Sequence, residues 1–183
     1  MAMPASAPHY TIDMLDAMPQ EPGVRYELVN GILIVTPAPG LGHATVVWRI
    51  SMALGTAIPE SAAGFAAPGE IRINPATSLE PDILVYPARS PRPAKWTDVT
   101  EWWLAVEVVS PSSRRYDREE KRRAYLALGI PEYWVVDPET RTIEVWHADE
   151  SRPRIVRGQL AWTAPSGHRV EIELGKVFEG IGI

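Results

Sequence analysis

Cysteine is absent from the 183-residue sequence, which excludes disulfide bonds and thiolate metal sites and is compatible with a cytoplasmic setting. Long apolar runs are missing too: no stretch approaches the roughly 18 residues that a membrane span needs, and residues 1–8 lack the pattern of a secretory signal. Positive charge is not in excess, because the net charge is −5, which argues against a protein that coats nucleic acid without specificity. We expect a loose leader over residues 1–9 and one cytoplasmic domain over residues 10–183.

Two acidic residues stand in apolar surroundings. Residues 102–111 read WWLAVEVVSP, and the β-branched residues and the terminal Ser-Pro favour a buried β-strand over a short helical segment. Glu107 interrupts this run, although carboxylates are almost never fully buried unless they are paired or bind a metal. Asp82 lies in the same way at the mouth of a second apolar strand, directly after Pro81. For either acid alone, a structural ion pair is the competing interpretation.

Turn and capping signals predict the other elements. Asn30-Gly31 between two β-rich runs indicates a hairpin with strands over residues 24–29 and 32–35. Thr11 is a candidate N-cap for a short helix that ends at Pro19. Further helices are predicted from His43 to about Ala57 and from Ser112 or Ser113 to Leu128, and further strands over residues 70–73, 132–136, 142–146, 154–156, 159–162 and 170–174. This order indicates an α/β or α+β domain with a mixed sheet.

The helix after the Glu107 strand carries a basic side chain on its packing face. On a helical wheel, an arc of roughly 100° contains Asp117, Lys121, Ala124, Tyr125 and Leu128. Lys121 follows the Glu107 strand by one short connection, so we expect it to point towards the acidic residues. The predicted contacts to a nucleic-acid backbone are Arg114, Arg118 and Arg122. A solvent-exposed face with i,i+4 ion pairs is the preferred interpretation for Arg115, Glu119 and Arg123.

An ordered set of short segments, spread over nearly the whole chain, resembles the Uma2 family of the PD-(D/E)XK restriction-endonuclease-like superfamily. The matching pieces are residues 25–31 (RYELVNG), His43, Pro81-Asp82, residues 106–111 (VEVVSP), Asp117 with Lys121 and Tyr125, and residues 132–138 (EYWVVDP). The resemblance implies an α/β (α+β mixed) fold with a restriction endonuclease-like core, in which helices flank a central mixed β-sheet and a β-hairpin lies at the N-terminal end.

The resemblance also implies a metal site. Its ligands would be Asp82, Glu107 and the main-chain carbonyl of Val108. The superfamily usually places a lysine two residues after the glutamate, but that position is Val109 in this sequence. Lys121 on the next helix is the natural substitute for the missing ammonium group, and we expect it to be catalytic together with both acids.

Other residues extend the predicted site. Glu27 matches a recurrent acid of the family and is a fourth candidate catalytic residue that could complete the metal shell. Candidate accessory residues are His43, Asp117 and Tyr125. Oxygen ligands suit Mg²⁺ or Mn²⁺ better than Zn²⁺. Such an ion would polarise a phosphate and lower the pKa of a bound water, while Lys121 would orient that water or stabilise the developing charge.

Three functions are compatible with these features. The first is a Mg²⁺-dependent endonuclease that hydrolyses the phosphodiester bonds of DNA. The second is a catalytically silent domain that keeps the nuclease fold and binds nucleic acid or another partner, which the acidic net charge and the valine at position 109 favour. The third is a metal-dependent hydrolase of another phosphodiester. The seven Trp residues and the apolar hairpin additionally predict a homodimer.

Overall fold

The computed structural model describes residues 9–19, 21–89 and 92–182, so most of the predicted leader lies outside the described residues. Within these ranges, no helix has both the length and the apolar character to cross a membrane. The helices are α1 (Ile12–Asp16), α2 (Leu41–Ala57), α3 (Arg114–Tyr116), α4 (Arg122–Ala127) and α5 (Leu174–Val177). The strands are β1 (Val24–Val29), β2 (Ile32–Pro37), β3 (Ala63–Ala66), β4 (Ile71–Asn74), β5 (Thr77–Leu79), β6 (Ile83–Pro87), β7 (Leu104–Val108), β8 (Glu132–Asp137), β9 (Thr142–His147), β10 (Arg154–Val156), β11 (Gln159–Thr163) and β12 (Arg169–Glu173).

The central sheet has six strands in the order β10-β9-β8-β7-β6-β3. Strands β7 and β8 are parallel, whereas the other neighbouring strands described in this sheet are antiparallel. A parallel pair needs a crossover connection, and the helical segment between β7 and β8 supplies it. The sheet is therefore mixed, as predicted.

The N-terminal hairpin belongs to a second sheet with the strand order β2-β1-β5-β4. Its turn places Asn30 at φ 51° and Gly31 at φ 80°, the positive values that a two-residue hairpin turn requires. The predicted hairpin is thus confirmed. Strands β11 and β12 form a separate two-stranded ribbon that contributes to the core beneath α2.

Strand β7 separates two apolar clusters because successive side chains point to opposite faces of a sheet. Leu104, Val106 and Val108 pack on one face with α2 and the β11–β12 ribbon. Ala105 and Val109 lie in the cluster on the other face, together with residues of the hairpin and of α4. Glu107 lies between Ala105 and Val109 along the strand, so its side chain points to the same face as theirs. That face is covered by the hairpin sheet and the crossover helix.

Most predicted elements are present, with a few differences. Thr11 caps α1 by accepting a hydrogen bond from the N–H of Met14, and α2 ends at Ala57 as predicted. The strand predicted over residues 70–73 begins one residue later, and Leu174 begins α5 instead of ending β12. Strands β3 and β5 were not predicted, because the first is built from small residues and the second spans only three residues.

Candidate active site

Asp82 and Glu107 lie opposite each other at the start of β6 and near the end of β7. Ile83 pairs with Val106 in the antiparallel register of these strands, so Asp82 occupies the next position, across from Glu107. Side chains at directly opposite positions point to the same face of a sheet. Both carboxylates are almost fully buried, with exposed fractions of 3% and 2%. The two acids of the sequence prediction therefore come from neighbouring strands onto one face.

Asp82 is held by three donors. Arg25 Nη1 donates a hydrogen bond to Oδ1 at 3.0 Å, and the main-chain N–H of Val108 donates to Oδ2 at 2.8 Å. His43 Nε2 lies 2.9 Å from Oδ2. Burial opposes ionisation of this carboxyl group, but His43 and then Arg25 outweigh that effect and hold the pKa of Asp82 below its ordinary value.

Lys121 lies at the centre of three buried carboxylates. Its Nζ is 2.7 Å from Glu27 Oε2, 3.2 Å from Glu107 Oε1 and 3.3 Å from Asp117 Oδ1. Burial disfavours the charged amine, yet the negative charges of these acids outweigh burial and raise the pKa of Lys121 well above its ordinary value. The ammonium form therefore persists throughout the physiological pH range.

The ionised form of Glu107 is disfavoured in this cluster. Tyr125 Oη donates a hydrogen bond of 2.7 Å to Oε1, and the same oxygen faces Lys121. Burial nevertheless dominates and raises the pKa of Glu107 well above its ordinary value, in spite of the nearby ammonium group. Neighbouring carboxylates, those of Asp117 and Asp82 first, push the pKa in the same direction.

The helical segment that carries Lys121 contains a π-helical turn, Asp117–Lys121, between α3 and α4. All five of its residues are charged, and the two that are buried, Asp117 and Lys121, lie at its ends. The wider turn is accompanied by a hydrogen bond of 2.9 Å from Tyr133 Oη to the main-chain carbonyl of Asp117. Turns of this kind occur frequently at functional sites. The sequence predicted a helix over this segment but not its π turn.

The charge balance of the buried cluster is negative. Its acids are Glu27, Asp82, Glu107 and Asp117, each at most 3% exposed. The permanent cations that contact them are Lys121 and Arg25. Counted as formal charges, with all four carboxyl groups ionised and His43 uncharged, the cluster has two more negative than positive charges, an excess that protonation of Glu107 relieves when no cation is bound. Burying uncompensated charge is costly, so such an excess is expected only where a function requires it.

A small cleft of about 130 Å³ opens onto these side chains. It is lined by the acids and Lys121 and by residues 36–40, which end β2 and lead into α2. Ser110, Ser112 and Ser113 line its mouth, where Ser110 and Ser113 hydrogen bond to each other. The cleft therefore combines a buried anionic floor with hydroxyl groups at its mouth.

The arginines predicted to contact a nucleic-acid backbone have partners within the protein. Arg114 pairs with Glu139, and Arg118 Nη2 lies 2.8 Å from Asp137 Oδ2. Arg122 lies over the ring of Trp146, with its guanidinium carbon 4.2 Å from the ring centroid. These three arginines are not among the residues that line the cleft. Their contact with nucleic acid remains a prediction.

Two contributions to the site were not predicted from the sequence. No role for Arg25 is predicted from the sequence, although it lies two residues before Glu27 and so shares its face of β1. That spacing was a usable signal. In the sequence, Ser110 indicates the end of the Glu107 strand and Ser112 or Ser113 the start of a helix, and neither signal predicts that these serines line the cleft.

The family model Uma2, described as "Putative restriction endonuclease", matches residues 12–175. The chain belongs to the Uma2 family. Its structure is similar to the crystal structure of "a putative nuclease belonging to DUF820 from Anabaena variabilis", with a TM-score of 0.72 at 18% sequence identity. The match covers 92% of this chain and 97% of the other, and it confirms the restriction-endonuclease-like α/β fold. No curated protein matches the sequence. Membership of the Uma2 family supports nuclease activity in general, without specifying the substrate or the metal.

Restriction-endonuclease-like proteins such as those of the Uma2 family generally use divalent metals. Among the described residues, no three Asp, Glu or His side chains are grouped so that they could hold a metal by themselves. Mg²⁺, however, is usually bound by only one or two carboxylates together with waters and substrate phosphates. Asp82 and Glu107 offer two carboxylates, and the surrounding cluster has an excess of two negative charges. By donor chemistry and charge, these residues fit a hard divalent cation.

Proposed function

We propose that this Uma2 protein is a Mg²⁺-dependent endonuclease that hydrolyses the phosphodiester bonds of DNA. The observation that carries the proposal is the position of Lys121, whose buried ammonium lies 3.2 Å from Glu107 on the sheet face that Glu107 shares with Asp82. Two facing carboxylates can hold a metal ion that polarises a phosphodiester, and an ammonium group beside them can stabilise the charge that develops during hydrolysis.

In this proposal Asp82, Glu107 and the Val108 carbonyl hold the cation. When bound, Mg²⁺ or Mn²⁺ would polarise the phosphate and lower the pKa of a water molecule. Arg25 and His43 orient Asp82, because both contact its carboxylate directly. Tyr125 fixes one oxygen of Glu107 and thereby the direction of the other.

Lys121 supplies the positive charge that stabilises the transition state. An ammonium has three N–H groups; here the Nζ of Lys121 donates a hydrogen bond to Glu107 and lies within ion-pair distance of Glu27 and Asp117. A phosphate oxygen in the cleft would compete with Glu107 for one of these donors. Glu27 and Asp117 would then hold the amine in place while it contacts the substrate. Glu27 is itself oriented by the main-chain N–H of Glu80, at 2.8 Å.

The valine at position 109 is compatible with this scheme. Val109 shares a sheet face with Glu107 but is buried in the apolar cluster that also contains Tyr125. The ammonium reaches the same face from the crossover helix instead. Transition-state stabilisation depends on the position of the charge relative to the phosphate and not on the element that carries it.

A catalytically silent domain that binds nucleic acid or another partner is the second candidate. The observation that favours it is that Asp82 and Lys121 already have complete sets of partners within the protein. A cluster satisfied in this way could serve a purely structural purpose. The net charge of −5 favours, for such a domain, a partner other than DNA.

Nicking of supercoiled plasmid separates the two candidates. The purified protein is expected to relax the plasmid in Mg²⁺ and to be inactive in EDTA. The Asp82→Asn variant, which keeps the side-chain volume but loses the charge, should be inactive in both. The silent domain would instead retard DNA in a gel without nicking it. Nicking that is equal in the wild type and in Asp82→Asn would refute the proposed site.

A further inference from the structure

An apolar pocket of about 330 Å³ adjoins the acidic cleft on the side of α2. Its walls are formed by Val47, Trp48 and Ala44 of that helix and by Ala67 and Pro68 opposite. The pocket and the cleft share four lining residues: Arg25, Pro39, His43 and Asp82. The apolar pocket is therefore a continuation of the candidate active site.

Trp48 is the most conspicuous residue of this pocket. Its side chain is 61% exposed, although Trp is among the residues that gain most from burial. The residue lies in the middle of α2, the 17-residue helix that packs on the central sheet. The exposed indole of Trp48, held on a helix beside the cleft, offers a planar surface on which an aromatic ring can stack. Exposed aromatic side chains of this kind are what proteins use to hold unpaired nucleobases.

We propose that this pocket, which we call the Trp48 pocket, binds one unpaired nucleobase of the strand whose phosphate lies in the acidic cleft. The inference rests on the proposed function and adds a substrate class to it: single-stranded nucleic acid, or a duplex with an unpaired base at the cleavage site. A base in a duplex is stacked on both sides and cannot enter a pocket of this kind without leaving the stack.

The composition of the Trp48 pocket suits a base. The planar apolar faces of the base would contact Trp48, Val47 and Pro68. Polar groups occur only where the pocket meets the cleft, at Arg25, His43 and Asp82, and on the helix at Ser51. Arg25 is 19% exposed and already lies 3.0 Å from Asp82, so its guanidinium stands between the two sites. A nucleotide has a similar arrangement, because a base with apolar faces is joined through the sugar to an anionic phosphate.

A second copy of this chain is the competing occupant, because α2 also exposes Met52. Met52 is 51% exposed, lies one turn after Trp48 on the same helix and does not line the Trp48 pocket. It is therefore the matched control. A dimer interface on this helix would involve both side chains, whereas a base subsite involves Trp48 alone.

The experiment measures binding of short labelled DNA strands in Ca²⁺, which replaces Mg²⁺ so that turnover is prevented while both acids of the metal site are kept. Trp48→Ala should weaken binding of the intact strand by about tenfold to a hundredfold, and Trp48→Phe should restore most of the loss. Met52→Ala should bind as the parent does. A series of strands, each with one abasic position, should show a similar loss at one position in the parent protein.

The decisive measurement combines both changes, the abasic strand and the Trp48→Ala substitution. If the missing base is the one that stacks on Trp48, the abasic strand and Trp48→Ala together should cost no more than either alone. Losses that multiply independently, or unchanged binding by Trp48→Ala, would overturn the proposal, as would failure to bind any strand. A change of molecular mass in both Trp48→Ala and Met52→Ala would assign this face to a dimer and overturn it as well.

These outcomes are separable from those of the proposed function. Trp48-dependent binding without metal-dependent cleavage would refute the endonuclease and retain the base subsite. Cleavage that is indifferent to Trp48→Ala would retain the endonuclease and refute the subsite.

Discussion

Lys121 forms its shortest ion pair with Glu27, at 2.7 Å between Nζ and Oε2, and both side chains are almost completely buried. The pair joins the π turn of the crossover helix to strand β1 of the hairpin sheet. Removing one partner of a buried pair typically costs about 3–5 kcal/mol, because the other charge is left uncompensated. The hairpin and the helix are thereby held on either side of Glu107, which fixes the cleft between them.

The first prediction concerns metal binding. Titration calorimetry with Mn²⁺ should detect one site in the wild type, because two carboxylates and an excess of buried negative charge favour a divalent cation. The Asp82→Asn/Glu107→Gln double variant should lose the heat of Mn²⁺ binding. Glu119→Gln, which changes an exposed acid, should retain it. Equal binding by the wild type and the double variant would show that the ion, if any, binds elsewhere.

The second prediction is a pH-dependent gain of stability in Glu107→Gln. Because folding raises the pKa of Glu107, this group binds more protons in the folded than in the unfolded state above its ordinary value of 4.5. Its contribution to the free energy of unfolding therefore falls as the pH rises from 4.5 through the raised value, and glutamine lacks this contribution.

Urea unfolding of both proteins between pH 5 and 8 checks this sign. The stability of Glu107→Gln relative to the wild type should increase with pH, by about 1.4 kcal/mol for each unit of the pKa shift. Glu119→Gln, which makes the same chemical change at a carboxylate that is 48% exposed, provides the control for the substitution itself. A Glu107→Gln difference that shrinks with rising pH would mean that the charged form is favoured in the folded protein.

The third prediction is the homodimer, which the apolar hairpin suggested. Strand β2 lies at the edge of its sheet, and Val35 on it is 53% exposed. Exposed apolar edge strands tend to pair with another chain. Light scattering at micromolar concentration should give about twice the 20.3 kDa of one chain. Val35→Lys should shift the mass to that of the monomer, and a monomeric wild type would contradict the prediction.

Much of this arrangement could be predicted from local sequence. Asn30-Gly31 determined the hairpin, and the isolated acids at positions 82 and 107 indicated the strands that form the site. Contacts between distant segments could not be predicted in the same way. Arg25 reaches Asp82 only because β1 and β6 are brought together by the fold. The π turn likewise depends on tertiary contacts, since nothing in residues 117–121 disfavours an ordinary α-helix.

The central claim is that the ammonium which stabilises the transition state comes from Lys121 on the crossover helix. Rates of plasmid nicking in Mg²⁺ should be compared for the wild type, Lys121→Met and Arg115→Ala. Arg115→Ala is the control, because the Arg115 side chain of the wild type is 83% exposed. Circular dichroism verifies that each variant is folded. If the single variant is unstable, Lys121→Met/Glu27→Gln, which removes one charge of each sign, is compared with Glu27→Gln alone.

We expect Lys121→Met to nick at least about a hundredfold more slowly than the wild type, because a charge positioned for the transition state is lost. Its Mn²⁺ binding should be largely unchanged, and Arg115→Ala should nick at the wild-type rate. Wild-type nicking by folded Lys121 variants would contradict the account.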